Sequence, residues 1–141
     1  MKLTNLLAYA IILTGSLYAG SYKDIEWNSD YNDAIASAEV KNRPIMVLIT
    51  SPQCKWCNKM KHSTLSDDEV VARLNSKFVT VELTKGEGDY PQSVLKVRAV
   101  PTIYFIDSEG DPIMKPVVGY WDIENFQSYL DDAERKANPT K

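Results

Sequence analysis

The stretch Ile45-Met46-Val47-Leu48-Ile49-Thr50-Ser51-Pro52-Gln53-Cys54-Lys55-Trp56-Cys57 decides how this chain is read. Five apolar residues in a row after Pro44 predict a short strand buried on both faces. Thr50 to Gln53 is turn-like, and the residues from Cys57 to Lys61 favour helix. The two cysteines therefore stand where a buried strand hands over to a helix. The first turn of a helix has unpaired N–H groups and a partial positive charge. A thiolate at Cys54 is expected to form more readily than in a free cysteine, whose pKa is about 8.5. The thiolate is the attacking species in disulfide exchange. One three-residue step brings Cys57 close enough to resolve a mixed disulfide formed at Cys54. Lys55 adds positive potential, and Trp56 offers an apolar surface beside the reacting sulfur.

Working outward, Asn28-Ser29-Asp30 offers caps for a helix with Tyr31, Ala34, Ile35 and Ala38 on one face, ended by Asn42-Arg43-Pro44. Ser66-Asp67-Asp68-Glu69 reads as a capping box with Ser66 as the cap, opening a helix whose apolar face is Val70, Val71 and Leu74. Phe78 to Leu83 alternates and predicts a strand. Pro91 is placed at the start of a short helix carrying Val94 and Leu95. Thr102 to Ile106 predicts a second buried strand. Ser108 to Pro112 is a turn into a last strand, Ile113 to Val118. Asp122 caps a final helix with Ile123, Phe126, Leu130 and Ala133 on one face, and a polar tail starts at Lys136. Strands alternating with helices, then a terminal hairpin, predict an α/β domain with a mixed sheet covered on both faces.

The whole chain has 141 residues and a net charge of −3, without a basic run, so a nucleic-acid binder is not expected. Residues 1–21 have the layout of a secretory signal peptide: a positive start, an uncharged apolar run, then small residues at Ala19, Gly20 and Ser21. Cleavage after Ala19 puts bulky Leu17 at the −3 position, whereas cleavage after Ser21 puts Ala19 there. The alternative is an uncleaved membrane anchor, but its uncharged stretch is interrupted by Thr4, Asn5, Thr14, Gly15 and Ser16. Export to the periplasm or beyond, with residues 22–141 as a single domain, is the expectation. Two cysteines are too few for a disulfide scaffold. They are also too few for zinc, since only one histidine, His62, joins them. His62 lies about two helical turns from Cys54, too far for a base, so neither a metal nor a further cofactor is expected.

Cys54-Lys55-Trp56-Cys57, then Val100-Pro101-Thr102, then Gly119-Tyr120 and a final helix together resemble the thioredoxin superfamily, over roughly residues 26–134. The likeness is closest to bacterial exported thioredoxin-like proteins with an Asn-Arg-Pro-type lead-in. That resemblance implies the thioredoxin fold, a cis peptide before Pro101, Cys54 and Cys57 as catalytic residues, and Trp56, Val100 and Pro101 as substrate contacts. Two departures stand out. Gln53 precedes the cysteines and Lys55-Trp56 lie between them, and Leu48 occupies the position of the family's buried acid. The resemblance further implies a thiol–disulfide oxidoreductase acting on protein disulfides or small thiols, recharged by a membrane or soluble thiol donor. A reductant is the expected direction. An oxidase or isomerase, and a binding or chaperone module, are the alternatives. A monomer is expected, since no extended apolar patch is readable.

Overall fold

The structure, a computed structural model, describes residues 20–138. The expected leader, apart from Gly20 and Ser21, lies outside them. Those two residues rest on the domain: Ser21 caps a 3-10 turn, Tyr22–Asp24, and its N–H donates to the Asp24 carboxylate.

Five strands and four helices follow. They are β1 (Trp27–Asn28), α1 (Tyr31–Lys41), β2 (Ile45–Thr50), α2 (Lys55–His62), α3 (Asp68–Lys77), β3 (Val79–Thr84), β4 (Thr102–Ile106), β5 (Val117–Val118) and α4 (Ile123–Ala137). The sheet order is β1-β3-β2-β4-β5. β1, β3 and β2 run parallel, while β4 and β5 are antiparallel to their neighbours. This is the mixed sheet of the thioredoxin fold.

β2 is central and buried throughout, which explains its unbroken apolar sequence. Met46 and Leu48 face the core that also holds Met60 of α2, Leu74 of α3 and Phe126 and Leu130 of α4. Ile45, Val47 and Ile49 face the other core, with Ala34 and Ala38 of α1. Asp30 caps α1 through the Asp33 N–H, and Asn42 closes it in the left-handed conformation that asparagine tolerates.

Several expectations need correction. Asp67, not Ser66, caps α3, taking the Glu69 and Val70 N–H groups. Ser66 is occupied elsewhere: it ends a 3-10 turn, donates to the Lys61 carbonyl and accepts the Tyr22 N–H. Pro91 opens a single turn rather than a helix, with Val94 and Leu95 both donating to its carbonyl. Leu95 is buried but Val94 is exposed, so no apolar stripe supports a second turn. The last strand shrinks to Val117–Val118 plus a bridge between Ile106 and Pro112, because Pro112 and Pro116 lack ladder donors. Ile123 is exposed, unlike Phe126, Leu130 and Ala133. α4 continues through Lys136 to Ala137, where a polar tail was expected. β1 is too short to show a period.

Candidate active site

β2 ends at Thr50, and Ser51 to Gln53 turn the chain into α2. Gln53 has φ of 58°, a left-handed conformation that costs a non-glycine residue about 1 kcal/mol. Past that turn, Cys54 is left extended at the N-cap of α2. Its sulfur accepts the Cys57 backbone N–H at 3.1 Å, the role a capping oxygen usually takes. Cys54 and Cys57 are joined as a disulfide with Cα atoms 5.2 Å apart.

The two sulfurs are not equivalent. Cys54 is partly exposed, whereas Cys57 is buried on the core side of α2. In the reduced chain, a Cys54 thiolate would keep the Cys57 N–H and the positive end of α2 as its stabilising partners.

The rim gathers residues that are far apart in sequence. Trp56 is 49% exposed. Its ring packs against Tyr120, with centroids 6.0 Å apart. The Lys59 ammonium lies 4.4 Å from the Tyr120 ring centre and 5.2 Å from that of Trp56, and Lys55 lies 5.6 Å from the Trp56 ring centre. Trp56, Val100, Gly119 and Tyr120 line one open groove. The Val100–Pro101 peptide is cis, and Pro101 is buried, its carbonyl accepting the Gly119 N–H at 2.8 Å. The expected residues Cys54, Lys55, Trp56, Cys57, Val100 and Pro101 thus meet at one end of the sheet.

Behind the pair, Leu48 is fully buried and stands level with Glu82 on β3. The Glu82 carboxylate accepts the Thr50 hydroxyl at 3.1 Å and is ion-paired with Lys61. Lys61 is one turn beyond Cys57 on α2. A carboxylate therefore does reach this helix, supplied by the neighbouring strand rather than by β2. Sequence reading missed Glu82, Thr50, Lys59 and the stacking role of Tyr120, because each depends on strand register or on contact between distant segments. His62 lies on the surface and stacks edge-on against Tyr22. Among the described residues, no group of three or more metal-ligating side chains is assembled. No helix among them is long and apolar enough to cross a membrane.

Comparison with known proteins agrees with this fold. A relative in Yersinia pestis, "Thiol:disulfide interchange protein DsbD", is 29% identical over 97 residues, covering 66% of this chain and 16% of that protein. The chain thus spans about a sixth of that relative's length. Among solved structures, "DsbH Oxidoreductase" aligns with a TM-score of 0.65 at 21% identity, covering 95% of each chain. A thioredoxin from Thermus thermophilus aligns with a TM-score of 0.69 at 24% identity, covering 82% of this chain and 91% of that one. A family model described as a thioredoxin-like domain matches residues 31–134, nearly the whole of the described fold, and the chain belongs to that family.

Proposed function

We propose that this protein is an exported thiol–disulfide oxidoreductase that reduces disulfides of exported proteins or small thiols. The observation that carries the reading is the pairing of an accessible Cys54 with a buried Cys57 at the start of α2. In the reduced chain, the Cys54 thiolate attacks one sulfur of the substrate disulfide. A mixed disulfide forms, and the other substrate sulfur leaves as a thiolate. Cys57 then loses its proton and attacks Cys54. That step expels the second substrate thiolate and leaves Cys54–Cys57 oxidised. Two electrons pass from the pair to the substrate, and a membrane or soluble dithiol donor returns them. The cysteine pair is itself the redox group, with no further cofactor.

Trp56, Val100 and Pro101 receive the substrate chain. The Val100 N–H and carbonyl carry no hydrogen bond among the described residues, so an extended segment has backbone groups to pair with. Lys55 modulates the Cys54 sulfur. The protein acts as a monomer. The reductant direction rests on likeness to thioredoxins. One observation favours the opposite direction. The Cys57 N–H at the start of α2 would stabilise a Cys54 thiolate, and stabilising the reduced form makes a pair more oxidising.

The attack order is tested with reduced Cys57→Ser protein and a cystine peptide. The mixed disulfide should accumulate through Cys54. If Cys54→Ser traps the peptide and Cys57→Ser does not, the assigned roles are wrong.

A further inference from the structure

We propose that the groove beside Cys54 is built for acidic protein segments, so that the preferred disulfides are those flanked by Asp or Glu. The inference rests on the oxidoreductase reading above and adds the chemistry of the partner.

The chain as a whole is acidic, with 19 carboxylate residues against 16 Lys and Arg. Its acids are absent from three stretches of the chain, the third of which is followed directly by Asp122, the exposed N-cap of α4. No Asp or Glu occurs in residues 40–66, 90–106 or 112–121. Those stretches hold α2, the cis Val100–Pro101 loop and the β5–Tyr120 segment, which the fold brings together around the groove. The cations they carry include Lys55, Lys59 and Arg98, all exposed and none paired with a carboxylate among the described residues. Glu87 and Asp89 follow β3, but with Asp30 and Tyr31 they line a different depression. Glu82 is engaged by Lys61 and Thr50.

The Lys59 ammonium is also held in place. It sits over both Tyr120 and Trp56, two of the residues that line the groove, and these cation–π contacts favour that position over others. A carboxylate arriving there meets a positioned charge, which costs less ordering than pairing with a free lysine. The apolar ring faces beside it accept the hydrocarbon part of the same segment. A protein segment fits better than a small anionic disulfide, because only a polypeptide can also pair with the Val100 backbone groups, which carry no hydrogen bond among the described residues.

The test uses three cystine peptides of one length, with Glu, Gln or Lys flanking the first cysteine. The full chain is reduced and freed of reductant, and single-turnover reduction of each peptide is followed by chromatography. Each rate is divided by that of the same peptide with dithiothreitol, which removes intrinsic differences in disulfide reactivity. At about 10 mM ionic strength, the Glu peptide should react roughly tenfold faster than the Lys peptide, and the ratio should shrink toward two near 0.5 M as screening sets in. Lys59→Glu should collapse the ratio to about one, while Lys41→Glu, on α1, should leave it in place. A ratio near one in the unmodified chain, or a ratio untouched by Lys59→Glu, overturns the inference while leaving the oxidoreductase reading intact. Equal rates for the Glu peptide and an anionic disulfide lacking a peptide backbone also overturn it, since the partner would not need to be a protein. Failure to reduce even the Gln peptide removes the proposed reductant function and this inference together.

Discussion

Replacing Met60 by alanine should loosen the attachment of the redox helix to the core. Met60 lies on α2, three residues beyond Cys57, and is fully buried in the core that also holds Leu48, Leu65 and Phe105. The substitution removes three heavy atoms, about 2 kcal/mol of transfer free energy at roughly 0.8 kcal/mol per methylene. A residual cavity near 50 Å³ adds about 1 kcal/mol. The expected cost is therefore about 3 kcal/mol. For a domain of roughly 120 residues, the entropy of unfolding is about 0.25 kcal/mol per kelvin. The melting temperature should then fall by about 12 °C, read by far-ultraviolet circular dichroism on the oxidised protein. Met60→Leu keeps the volume and should cost less than about 1.5 kcal/mol. Val40→Ala, at an exposed position on α1, should leave the midpoint nearly unchanged. A loss under about 3 °C for Met60→Ala would refute the claim that this side chain anchors α2.

Two further outcomes follow from individual contacts. Asp67→Ala should cost about 1 kcal/mol and speed amide exchange at Glu69 and Val70, whereas Ser66→Ala should speed exchange at Tyr22 instead. The reverse pattern would restore Ser66 as the cap. Burial, with the Asp111 and Asp107 carboxylates nearby, raises the Tyr31 phenol above its ordinary pKa. The folded chain therefore keeps a proton that the unfolded chain gives up above about pH 10. Stability should fall as pH rises through that range, and Tyr31→Phe should flatten the fall. Equal alkaline slopes in denaturant titrations of the two proteins would rule out this contribution.

The redox end of the molecule was legible because its signals are local. Ile45 to Ile49 is apolar without a break, and only a strand covered on both faces needs that pattern. The Cys54–Cys57 spacing is one helical step, so its meaning survives without knowledge of the tertiary structure. Val100 and Pro101 were placed through the family likeness rather than from their own chemistry. What escaped depends on distant partners. Glu82 looks like an ordinary polar position in an alternating strand until the register sets it beside Leu48 and under Lys61. Ser66 and Asp67 are both good caps, and the choice falls to Asp67 because Ser66 is already bound to Tyr22 and Lys61. Lys59 and Tyr120 are 61 positions apart, and nothing local announces that one stacks on the other.

The reduction potential of the Cys54–Cys57 pair tests the central claim most directly. The protein would be equilibrated in graded thiol–disulfide buffers, alkylated and weighed. The account predicts one reversible two-electron transition near the thioredoxin value of about −270 mV, and a transition near −120 mV would assign the protein to the oxidant side instead. A pair that forms no intramolecular disulfide at any poise would contradict the claim that these cysteines are a working redox couple.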